Sequence, residues 1–155
     1  MPKSEYTLGD LCSYLDGMRG ELNLVRRKGL PSVNQFLMDY GNTLGVFPDE
    51  WKLKKNKVAG CTANVYIAVT YANGRVFYAG YADSKIVKGQ LALLINGLNG
   101  LKSDEILYGA EDCFQEFVQN AEVRFSMTPT RTNSMGALFH FMRQKAVELL
   151  EGNDR

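Results

Sequence analysis

The order of apolar and polar positions divides the chain into helical stretches at both ends and a two-strand pattern between them. Leu8, Leu11, Cys12, Leu15, Met18 and Leu22 recur at spacings of three and four, which predicts an amphipathic helix over 7–25 opened by the Thr-x-x-Asp of a capping box. Pro31 and Ser32 open a second helix carrying Val33, Phe36, Leu37, Tyr40 and Leu44, closed by Gly45 and Pro48. The lysine-rich stretch that follows, with Lys52, Lys54, Lys55 and Lys57, reads as a solvated loop.

From Asn64 the period changes to two. Val65, Ile67, Val69 and Tyr71 alternate with Tyr66, Ala68 and Thr70, Asn73-Gly74 supplies a tight primed turn, and "RVFYAGY" returns as the partner strand. Beyond the hairpin, Asp83 or Ser84 can cap a helix with Ile86, Val87, Leu91, Leu94, Ile95 and Leu98 on one stripe. Two shorter helices, "DEILYG" and "EDCFQEFVQN", precede a final one that starts near Asn133 and carries Met135, Leu138, Met142, Ala146 and Leu149. Such an order implies an α+β fold, a small antiparallel sheet of about three strands with helices from both ends of the chain packed against it.

Composition narrows the function classes. A chain of 155 residues, 45% hydrophobic and 23% charged, has the size and balance of one globular domain, taken here as 1–155, and not of a disordered chain. The longest apolar runs are far shorter than a bilayer span, and "MPKSEYTLGD" has no secretory core, so a cytoplasmic protein with no membrane partner is expected. A net charge of +1 provides no general field for nucleic acid.

The three cysteines fit neither a disulfide framework nor a zinc motif, and reduced thiols are expected. Cys12 and Cys113 fall on apolar helix stripes, where the simplest role is small hydrophobic packing. Cys61 differs, because it follows Gly60 where the chain turns into the hairpin. His140 is the one histidine, which leaves little material for a histidine metal site; it reads as structural or exposed.

Three segments together, "VAGCTANVYI" (58–67), "GYADSKIVKGQLALL" (80–94) and "TPTRTNSMGAL" (128–138), resemble the SufE family of sulfur acceptors in iron-sulfur cluster assembly, in order and in spacing. The resemblance is strongest over 36–149. Tyr66 stands where the family has Trp, Ala82 where it has Ser and Ser134 where it has Gly. It implies a SufE/IscU-like fold with Cys61 as the persulfide-carrying residue, and with Asp83 and Arg131 in partner docking or loop positioning. It implies a cysteine desulfurase partner, SufS-like or CsdA-like, which the protein stimulates, and an iron-sulfur scaffold as recipient. No cofactor or metal belongs to the chain itself on this reading, since pyridoxal phosphate sits in the desulfurase; the protein is a carrier and activator more than an enzyme with its own turnover. Two other readings stay open: an iron-sulfur or zinc-binding scaffold of related fold, and a desulfurase-docking module that carries no sulfur.

Overall fold

The computed structural model describes residues 5–59, 63–120 and 134–152. Helix α1 (Leu8–Arg26) starts where the sequence places it: Thr7 Oγ1 accepts from the Asp10 N–H, and the Asp10 carboxylate accepts from the Thr7 N–H at 2.9 Å. Its buried stripe is Leu11, Leu15, Met18 and Leu22. Helix α2 (Leu30–Gly41) has proline in its first turn. It ends at Gly41, short of the sequence expectation, because the backbone then folds back on itself with the Asn42 and Thr43 N–H groups bonded to Asp39 and Tyr40.

The lysine-rich stretch is not plain loop. It holds two 3₁₀ turns, Asp49–Trp51 and Lys54–Asn56, and buries Asn56, whose side-chain amide donates to the Trp51 carbonyl at 2.8 Å.

Strands β1 (Val65–Ala72) and β2 (Arg75–Ala82) pair antiparallel from Val65 with Ala82 to Ala72 with Arg75. The turn works as the sequence predicts, since Asn73 (φ 55°) and Gly74 (φ 81°) take the positive angles of a primed hairpin turn. Among the described residues the sheet has two strands; what remains of a third is isolated bridges, Lys57 with Tyr66 on one side and Arg75 with Lys102 on the other. On the other side the 99–102 segment lines β2. Asn99 brackets Tyr78 with two side-chain bonds, and Val76 exchanges backbone bonds with Leu101 and Gly100.

Helix α3 (Lys85–Leu98) packs on the inner face of the hairpin, where Val65, Ile67, Val76 and Tyr78 are buried. Gly80 permits this, since a β-carbon there would stand 2.6 Å from Leu91 Cδ2. The alternation in β1 fades toward the turn: Val69 is only partly buried and Tyr71 is 42% exposed, while their β2 partners Tyr78 and Val76 stay buried, because α3 packs against the β2 side of the hairpin. Helices α4 (Ser103–Tyr108) and α5 (Ala110–Asn120) lead to α6 (Ser134–Gly152), which joins the sheet through the buried Tyr78 hydroxyl, donating to the Met142 carbonyl at 2.7 Å. The amino-terminal helix does not touch the sheet in the same way. It packs on α2 and α5, tied to α2 and α3 by Tyr14, whose hydroxyl meets that of Tyr40 at 2.6 Å and donates to the Leu93 carbonyl.

The expectation of reduced thiols is overturned. Cys12 and Cys113 are not separate reduced thiols but a disulfide joining α1 to α5, with α-carbons 5.4 Å apart. Cys113 packs against the apolar core and Cys12 is half-buried, so the helix-stripe argument holds for Cys113. That argument cannot reveal that the two stripes face each other.

Candidate functional site

The site predicted from sequence centres on the segment between Ala59 and Asn64. Cys61 itself lies outside the described residues, as does Arg131. What is described is how the ends of the segment are held. Upstream, Val58 is buried and its N–H donates to the Val65 carbonyl at 2.9 Å, so six residues leave and return across one backbone bond. Downstream, Asn64 is clamped to Asp83. The Asp83 carboxylate accepts the Asn64 backbone N–H and its side-chain amide, each at 3.0 Å, and the Asp83 N–H donates to the Asn64 carbonyl at 3.1 Å.

This clamp extends the hairpin ladder by one step beyond Val65 and Ala82, with a side-chain oxygen replacing the Asp83 carbonyl as acceptor. The cap of α3 is Ser84, whose hydroxyl accepts from the Val87 N–H; this settles the choice between Asp83 and Ser84 and leaves Asp83 free for Asn64. The structure therefore brings Asp83 to the base of the Cys61 segment.

Beside this base, on the outer face of the hairpin, stands an aromatic group that sequence reasoning did not assemble. Tyr66 and Tyr81 pair across the strands at 6.3 Å, Phe47 tilts against Tyr81 at 6.4 Å, and Trp51 meets Phe47 edge-on at 5.8 Å. Lys52 Nζ lies 3.9 Å above the Tyr81 ring and 3.1 Å from Asp49; its hydrogen bond to Asp49 moves its pKa upward. The alternation of β1 and β2 put Tyr66 and Tyr81 on one face, but nothing in the spacing joined Phe47 and Trp51 to them. Lys54, Lys55 and Lys57, which follow in sequence, are exposed.

A cleft of about 430 Å³ opens between the 3₁₀ turns, β1 and α6, lined by Trp51, Leu53, Val69, Thr70, Lys145 and Leu149. Lys145 is nearly buried in its wall, donating to the Lys55 carbonyl at 2.7 Å, and burial lowers its pKa. His140 is exposed.

The Fe-S metabolism associated domain that defines SufE matches residues 26–146. The chain belongs to the SufE family. An uncharacterised SufE-like protein of Synechocystis sp. is 39% identical over 111 residues, 72% of this chain and 67% of that protein. SufE-like protein 1 of Arabidopsis thaliana, chloroplastic/mitochondrial, is 33% identical over 114 residues, 73% of this chain; the match spans only 30% of that longer protein. In three dimensions the chain resembles a hypothetical protein from Thermus thermophilus, with a TM-score of 0.63 over 89% of this chain and 96% of that one, at 16% identity. The fold is thus that of a known α+β structure, and the SufE match covers the hairpin, the Asn64–Asp83 clamp and Cys61. Almost all of α1 lies ahead of it. Among the described residues no helix is long and apolar enough to cross a membrane.

Proposed function

We propose that this SufE-family protein accepts sulfur on Cys61 from the persulfide of a cysteine desulfurase and passes it to an iron-sulfur assembly scaffold. The Cys61 thiolate attacks the terminal sulfur of the donor persulfide, the donor's sulfur-sulfur bond breaks, and the donor cysteine leaves as a thiolate. Cys61 then carries the persulfide, and attack on its terminal sulfur by an acceptor thiolate returns it to its starting state. The chemistry asks nothing of the carrier but one reachable, partly ionised thiol in a defined place. Sulfur extraction from free cysteine, which requires pyridoxal phosphate, stays with a desulfurase of the SufS or CsdA kind.

The observation that carries this reading is the SufE match over Cys61 together with the way its segment is held, by the Val58–Val65 backbone bond on one side and by Asp83 on Asn64 on the other. Asp83 then positions the segment through Asn64, and Arg131 serves in partner docking or loop positioning. Stimulation of the desulfurase follows from removal of its persulfide, which frees the donor cysteine for another cycle. A scaffold reading is disfavoured by Cys12 and Cys113, which are bonded to each other and so are not metal ligands in this state.

The test is incubation with a desulfurase and cysteine, followed by mass spectrometry of the Cys61 peptide. Added sulfur on that peptide is expected, and Cys61→Ser should abolish both it and the stimulation. Sulfur accepted by the serine variant would show the assignment to be wrong.

A further inference from the structure

We infer that Cys12 and Cys113 form a second thiol site, a reversible disulfide clip between α1 and α5 that responds to dithiol reductants and is separate from the sulfur-accepting cysteine. The two helices run side by side in a fixed register. Gly109 has no side chain, and a β-carbon there would strike Leu8, so the start of α1 lies directly on the chain entering α5. One helical turn further along each helix, at Cys12 and Cys113, the α-carbons are 5.4 Å apart, within the span that a disulfide bridges. Both residues are half-buried, and Cys113 packs against the core, so the bond is partly covered and still open to a reductant.

The helix that carries Cys12 is tied at its start to the turn end of the hairpin. Residues 59–64 leave the hairpin at its Val65–Ala82 end, whereas the far end, at Arg75, is anchored to the start of α1 by a guanidinium bond to the Tyr6 carbonyl at 2.8 Å. Eight-residue strands put those ends roughly 24 Å apart.

Reduction is an ordinary dithiol exchange. A reductant thiolate attacks one sulfur of the pair, the other leaves as a thiolate, and the second reductant thiol attacks the mixed disulfide. Both cysteines end as thiols and the reductant ends as a disulfide, a transfer of two electrons and two protons. Oxidation by a low-mass or protein disulfide runs the same steps backwards.

Opening the clip leaves α1 in place, because Leu11, Leu15, Met18 and Leu22 remain buried and Tyr14 still holds Tyr40 and Leu93. What is lost is the constraint on the unfolded chain. A bond between residues 101 apart in sequence disfavours unfolding on the order of a thousand-fold, equivalent to a fall in Tm of about 10 °C on reduction.

The experiment uses the full chain with Cys61→Ser, so that only the pair reports. Air-oxidised protein is treated with a thiol alkylator under native and denaturing conditions, before and after dithiothreitol, and its melting curve is recorded in each state. Neither cysteine should label before reduction and both should label after it, with the Tm falling by about 10 °C and recovering on reoxidation by oxidised glutathione. A further Cys12→Ser, Cys113→Ser change should melt like the reduced form and ignore dithiothreitol. Labelling of both thiols in the oxidised protein, or equal Tm before and after reduction, would overturn the inference; the reduced wild-type pair gives that answer even where the serine variants fold poorly.

Discussion

Replacing Asp83 by alanine removes two acceptors at once, the oxygens that hold the backbone N–H and the side-chain amide of Asn64. Hydrogen bonds to a charged group contribute about 1.5–3 kcal/mol each when water is excluded, but Asp83 is exposed and water can replace much of what is lost. The backbone bond from Asp83 to the Asn64 carbonyl survives the change. The net loss is therefore about 1 kcal/mol, a fall in Tm of roughly 2–4 °C for a domain of this size. The effect on sulfur transfer should be of similar size, about fivefold in rate, if the role of the clamp is to hold the segment carrying Cys61. Asp83→Asn keeps one carbonyl oxygen for the Asn64 N–H and should fall between wild type and alanine. Thermal melts of the three proteins, run beside single-turnover sulfur transfer from a desulfurase, check both halves. Positioning is refuted if the alanine variant melts and transfers like wild type. It is equally refuted if asparagine loses transfer as fully as alanine while keeping wild-type stability, since the charge, and not the clamp, would then be what matters.

Two further outcomes test the frame that carries the site. Gly89→Ala places a methyl group against the Leu37 carbonyl where α2 crosses α3 backbone to backbone; the midpoint of urea unfolding should drop by the equivalent of about 3 kcal/mol with the slope unchanged, and a midpoint equal to wild type would mean the helices do not cross this closely. Burial raises the pKa of Tyr6 from 10.0 to about 12 and moves Tyr14 and Tyr78 upward as well. The folded state thus holds these phenolic protons more tightly than the unfolded chain, so stability is at full strength below pH 10 and falls as pH rises from 10 toward 12. A Tm that stays level across that interval would contradict the burial of these hydroxyls.

Much of the frame was legible because it depends on local pattern. The capping box at Thr7, the primed turn at Asn73-Gly74 and the stripes of α1 and α3 all follow from residues near one another in sequence, and each is found where the pattern puts it. The α+β class follows from their order. The features that were not legible depend on which distant surfaces meet. The facing of Cys12 and Cys113 needs the register of α1 on α5, set by Leu8 against Gly109 a hundred residues away. The meeting of Phe47 and Trp51 with Tyr81 needs the path of a segment without periodicity. Even the choice between Asp83 and Ser84 as the α3 cap turned on a third residue, Asn64, which claims the carboxylate for the hairpin. For Cys61, the preceding glycine, the hairpin that follows and the SufE resemblance together singled out the residue, since chemistry at a single thiol leaves a short local signature.

The lining of β2 by the 99–102 segment also bears on how the protein behaves among its own copies. An uncovered strand offers a row of donors and acceptors that a neighbouring chain can adopt as a template. Along the turn-side half of this edge the row is already engaged, by Asn99 on both groups of Tyr78 and by Leu101 and Gly100 on Val76. The segment that does this is the connection between α3 and α4, so it arrives only after α3 has folded onto the hairpin. During synthesis the hairpin is complete some twenty residues before its cover, and in that interval this edge is a site where chains at high concentration can pair wrongly.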